Sequence, residues 1–153
     1  MLCRGRRFRH KISRRLLRME WNHLLLMATP TKTLELTWEQ GVRYGNISEY
    51  EGRQIVVLRP VQLDLLTYTA LDSALKNYES VNFDWMKFLF QCLRIIPVNR
   101  KGFALCDEFA GMVYKKAFLD VNFRSIMEND LGSQSYRNGN CLFEKIVDYR
   151  YAP

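Results

Sequence analysis

The chain carries two histidines, His10 and His23, and both precede Leu24. A Ser-His-Asp or Cys-His nucleophile needs an imidazole beside it to take the proton, so everything after His23 is without a base of that kind. The four cysteines, Cys3, Cys92, Cys106 and Cys141, include no Cys-x-x-Cys pair and cannot supply a zinc site of Cys and His. Paired carboxylates are what remains for acid–base chemistry, and the candidates are Asp107 with Glu108 and Asp64 with Asp72. Each pair has a plainer use: Asp107 and Glu108 favour the start of a helix, and Asp64 and Asp72 are solvated helix positions. Gly41-Val42-Arg43-Tyr44-Gly45 has neither the lysine nor the spacing of a phosphate-binding loop and reads as a turn. The expectation is a protein with no catalytic residues, no metal site and no cofactor, hence not an enzyme.

Charge points instead to partners. The net charge is +7, from 23 Lys and Arg against 16 Asp and Glu, and it is unevenly placed. Arg4, Arg6, Arg7, Arg9, Lys11, Arg14, Arg15 and Arg18 fall in the first 18 residues with no acid among them, which leaves the rest close to neutral. Three readings of this basic leader stay open. Phe8, Ile12 and Leu16 give an Arg-rich amphipathic stripe of the kind a mitochondrial targeting peptide needs. The same arginines could neutralise phosphates as a salt-sensitive RNA-binding arm. Met19 or Met27 could be the true start, with the leader outside the working protein. On these grounds residues 1–26 are set apart from a single domain over 27–153. Glu20, Asn22 and His23 interrupt the apolar stretch that a secretory signal requires, and no segment approaches the length of a spanning helix. Scattered cysteines fit reduced thiols in a cytoplasm-like compartment.

With 153 residues, 48% of them hydrophobic, the chain can bury one real core. Thr33 to Trp38 alternates as a half-buried strand with Leu34, Leu36 and Trp38 on one face. Gly41 to Tyr44 suggests a short strand, and Arg53 to Leu58 a better-buried one that Arg59-Pro60 should end. From Val61 the period lengthens to about 3.6 residues, which predicts a helix from about Gln62 to Tyr78. A second follows from near Phe83 to before Pro97, with Trp85, Phe88, Leu89, Cys92 and Leu93 inward, and a third from about Leu105 to Leu119, with Phe109, Ala110, Val113, Tyr114, Ala117 and Phe118 at core spacing. Phe123 to Leu131 suggests a fourth. Residues 132–140 form a polar loop, and the type of the element from Cys141 to Tyr151 stays open. The fold class is α+β: a small N-terminal hairpin or meander followed by a bundle of three to four helices. Trp85, Phe88, Phe109 and Tyr114 are core on the plain reading and are the candidate partner contacts if their stripes face a groove. Tyr136-Arg137 and Tyr149-Arg150-Tyr151 could stack on single-stranded RNA, or serve an interface or ordered tail.

The order of elements resembles that of phage tail assembly chaperones. The likeness rests on a strand closing in Leu-Arg and then Pro-x-x-x-Asp-Leu opening a helical bundle, here Ile55-Val56-Val57-Leu58-Arg59-Pro60-Val61-Gln62-Leu63-Asp64-Leu65. It continues in Phe88 to Leu93 and in Phe103 to Ala110, and covers about Thr33 to Phe118. Arg59 stands directly against Pro60 where family members often carry one more residue, and the basic leader and the stretch after Leu119 are additional. The resemblance implies an adaptor in the host cytoplasm that binds a tail or tape-measure protein through apolar helix faces, with Pro60, Asp64 and Leu65 defining the fold. A homo-oligomer is a further expectation. The alternative function is a basic-tailed RNA-binding or ribosome-associated structural protein, mitochondrial if the leader targets it.

Overall fold

The computed structural model describes residues 1–4, 15, 17, 21–61, 63–76, 81–95, 99–128, 135–138 and 141–148, with 135–138, 141–142 and 147–148 described by backbone alone. The architecture is α+β, with a mostly antiparallel sheet and helices. In chain order the elements are β1 (Leu2–Arg4), β2 (His23–Met27), β3 (Lys32–Thr37), β4 (Gly41–Asn46), a 3-10 turn (Ile47–Tyr50) and β5 (Gln54–Val61). There follow α1 (Leu65–Lys76), β6 (Asn82–Phe83), α2 (Trp85–Leu93), β7 (Phe103–Ala104), α3 (Cys106–Lys116), α4 (Phe123–Glu128), β8 (Ser135–Asn138) and β9 (Cys141–Asp148). The large sheet has seven strands in the order β4-β3-β2-β1-β5-β9-β8, and β6 and β7 pair in parallel beside it.

This sheet is larger than the expected meander because both ends of the sequence join it. β1 lies between β2 and β5, with Leu2 opposite Leu24 on one side and Val56 on the other. Residues 1–4 and 21–26, which composition sets apart as leader, are therefore strand and core: Leu2, Trp21 and Leu25 are at most 2% exposed. Arginine density hid this, because only three residues of β1 are needed to bridge its neighbours. The open element after Cys141 is β9, which pairs along β5 and with β8. β5 also runs through Arg59-Pro60 instead of ending there. Among the described residues it pairs beyond Val56 with β9 alone, and a proline is tolerated where one side of a strand carries no ladder.

The run Leu24-Leu25-Leu26-Met27 is apolar throughout because β2 is covered on both faces. Leu24 and Leu26 join Leu34, Leu36 and Val56 in the main core beneath the helices, with Phe109, Val113 and Ile126. Leu25 points the other way, into a smaller cluster with Met1, Cys3 and Tyr50 under the 3-10 turn.

The helices keep their expected order with shifted ends. α1 begins at Leu65 instead of Gln62, because Asp64 caps it: its carboxylate accepts from the Thr67 N–H at 2.7 Å and its carbonyl from Tyr68 N–H at 3.0 Å. Leu65, implied to define the fold, is 81% exposed. Asp72 pairs with Lys76 at 2.6 Å on the solvent side. α3 stops at Lys116, and Phe118 leaves the core in a left-handed conformation, φ 60°, 77% exposed. The helix ends predicted at Tyr78 and Leu131 lie outside the described residues.

Candidate docking face

α2 is mounted backwards. Its sequence, Trp85-Met86-Lys87-Phe88-Leu89-Phe90-Gln91-Cys92-Leu93, has a strong apolar side that an ordinary surface helix would turn to the core. Here the polar stripe faces the body. Lys87 is 8% exposed, and its ammonium donates to the carboxylate of Glu108 at the start of α3 and to the Asn99 side chain. One turn on, Gln91 Oε1 accepts from Arg124 of α4 at 2.8 Å. Asp84, fully buried, caps α2 by accepting from the Lys87 N–H at 2.9 Å. With Lys87 and Gln91 spent inward, Trp85, Met86, Leu89 and Leu93 are left about half exposed, from 47% to 60%.

The turn between β3 and β4 completes the face. Gly41 has φ 70°, and a side chain there would place its Cβ 2.9 Å from the Val81 carbonyl. Its absence lets the Val42 N–H bond that carbonyl at 3.2 Å, which draws the start of β6 against the turn. Trp38, 45% exposed, thereby meets Trp85 edge to face with ring centroids 5.2 Å apart. Trp85 in turn packs edge to face on Phe83 at 5.2 Å and Phe88 at 5.8 Å. The result is a fixed aromatic platform continuing into a leucine stripe, built from the β3–β4 turn, β6 and α2. Contiguous exposed apolar surface of this kind is uncommon on a soluble protein outside interaction sites.

Of the four candidate contacts, the structure brings together Trp85 and Phe88 and separates the other two from them. Phe109 is 1% exposed and Tyr114 6%; both belong to the main core, where Tyr114 packs on Phe123 and Phe143. They cannot touch a partner while the fold is intact. Met86, Leu89, Leu93 and Trp38 take their place. Of the candidate nucleic-acid residues, Arg4 is engaged inside the protein: it donates to Gln54 at 3.1 Å and lies 5.3 Å over the ring of Trp21. Arg15 is exposed. Arg6, Arg7, Arg9, Lys11, Arg14, Arg18 and the terminal Tyr149-Arg150-Tyr151 lie outside the described residues.

A second polar assembly was not legible as a site. On the back of the sheet Glu35, fully buried, takes His23 Nε2 at 2.7 Å and the Tyr50 hydroxyl on one oxygen and Arg43 at 2.8 Å on the other. Arg43 also reaches Glu49 at 2.7 Å. Burial alone would push the Glu35 carboxyl up, but the bonds from His23 and Tyr50 and the Arg43 charge hold it below the ordinary glutamate range. Burial and the adjoining carboxylate push the Tyr50 phenol up. The network ties β2, β3, β4 and the 3-10 turn together. The carboxylate pair Asp107 and Glu108 sits where a helix start needs it: Glu108 accepts from the Leu105 N–H at 3.0 Å, and burial pushes the Asp107 carboxyl up. Cys3, Cys92 and Cys106 are free thiols, and burial raises all three, Cys106 to about 12, which keeps them out of the reactive thiolate form. Among the described residues no cluster of His, Cys, Asp and Glu could hold a metal ion, and no helix is long and apolar enough to cross a membrane. No family model, curated protein or solved structure matches this chain.

Proposed function

We propose that this protein is a non-enzymatic assembly or adaptor protein that binds a segment of another protein on the outward face of α2. The observation that carries the reading is the reversed mounting of that helix. A chain that buries Lys87 and leaves Trp85, Met86, Leu89 and Leu93 in water gives up folding free energy unless something covers them. An amphipathic partner helix laid in such a face is a recurrent way of covering it. The likeness to phage tail assembly chaperones, which covers about Thr33 to Phe118, supports a tail or tape-measure protein as the partner and the host cytoplasm as the setting. The test is a photo-crosslinking residue placed at Leu93 and, separately, at Glu51, which is exposed in the turn before β5. In native cells Leu93 should give one discrete protein adduct that Glu51 does not give. Identical adducts from both positions, or none from Leu93, would contradict the proposal.

A further inference from the structure

The charges around the face select among its occupants. In the segments that build it, Trp38–Gln40, Asn82–Ile95 and Asn99–Ala104, the exposed charged residues are Glu39, Arg94, Arg100 and Lys101. The three bases bracket α2. Arg94 follows Leu93 directly at the helix C-terminus. Arg100 lies 3.9 Å from the capping Asp84 at the other end and leans over Phe103 at 4.1 Å, with Lys101 beside it in the turn that leads into β7. A second copy of this chain is a poor occupant, because pairing the face with itself would set these bases against their own kind and join two chains of net charge +7. A lipid surface is a poor one too. An interfacial helix keeps a Lys- and Arg-rich polar face toward the headgroups, and the polar stripe of α2 is instead bonded inward to α3 and α4.

We infer that the occupant is an amphipathic helix with acidic ends, its apolar side chains on the Trp38–Trp85 platform and the Leu89–Leu93 stripe and its Asp or Glu residues against Arg94 and Lys101. This rests on the docking reading above and adds the chemistry of the partner. Rim charges of this sort set association rate and partner choice more than total affinity.

The probe is a library of amphipathic helical peptides with Leu and Phe anchors at helical spacing and terminal positions varied among Asp, Glu, Ser, Lys and Arg, selected on the full chain. Acid-flanked peptides should be enriched, and an enriched peptide should bind roughly tenfold less tightly to Arg94→Glu/Lys101→Glu, an effect that salt diminishes. Both positions are exposed, and circular dichroism checks that the variant folds. Peptides with neutral or basic ends that still require Leu89 and Leu93 would overturn the inference and leave the docking face standing. Failure to find any peptide sensitive to Leu89→Ser/Leu93→Ser would overturn both. Binding to phosphatidylserine vesicles, or a dimer, that the same double substitution abolishes would overturn it in favour of a membrane or a second copy.

Discussion

Glu35 shows what a single buried charge contributes and what a sequence conceals. Leu34-Glu35-Leu36 alternates, which assigns Glu35 to the solvent side of its strand. That side is in fact covered by the 3-10 turn, and only strand pairing, with Leu25 opposite Glu35, brings His23 near enough to bond it. The sequence carries no periodic signal for such a contact. Because the Glu35 carboxyl is held below its ordinary value of 4.5, the unfolded chain binds its proton more readily. Its contribution to stability is therefore full above about pH 4.5 and is lost as pH falls through the lower folded value. Denaturant titrations between pH 7 and pH 3 should show this loss in the wild type and a flatter profile in Glu35→Gln. At neutral pH Glu35→Ala should cost about 3 kcal/mol, since it leaves the buried Tyr50 hydroxyl and the His23 ring without their acceptor, while Arg43 keeps Glu49. Equal pH profiles for wild type and Glu35→Gln would remove Glu35 from this role.

The same contrast holds for the elements. β3, β5, the three longer helices and their order were legible, because alternation and the 3.6-residue period survive wherever one face meets the core. The direction in which α2 faces was not. Its moment located the apolar stripe and implied that the stripe goes inward, whereas two polar residues four apart, Lys87 and Gln91, found partners on α3 and α4. Of the four contacts picked from the sequence, Trp85 is exposed and Phe88 partly buried on α2, whereas the two on α3 are buried, since α3 packs on β2, β3, α1 and α4. If the Lys87–Glu108 pair holds α2 in place, Lys87→Ala should destabilise the fold by about 2 kcal/mol, less than for a fully buried pair because Glu108 is 34% exposed. Leu93→Ser, at a 60% exposed position, should change stability by no more than about 0.5 kcal/mol. Chemical denaturation of the two variants measures both, and the reverse ranking would mean that α2 packs by its leucines.

At the scale of the whole molecule, the sheet makes the N-terminus part of the body. Composition set residues 1–18 apart as a basic leader, whether arm, targeting peptide or a stretch before the true start, and nothing in the pattern of Leu2-Cys3-Arg4 distinguishes a three-residue strand from the arginine-rich stretch that follows it. A chain beginning at Met27 lacks β1 and nearly all of β2, and so leaves β3 and β5 without the strands that join them. It should lose cooperative thermal unfolding, and a sharp melt equal to that of the full chain would show that the sheet closes without them. The central claim is that α2 presents its apolar face outward for a partner to cover, and two methionines report on it within one sample. Met86 is 50% exposed on that face, and Met127 is 1% exposed in the core. Oxidative footprinting read by mass spectrometry should modify Met86 and spare Met127 in the isolated chain, and should spare both in the assembly recovered from native cells. Protection of Met86 in the isolated chain, or undiminished oxidation of Met86 in the native assembly, would contradict the account.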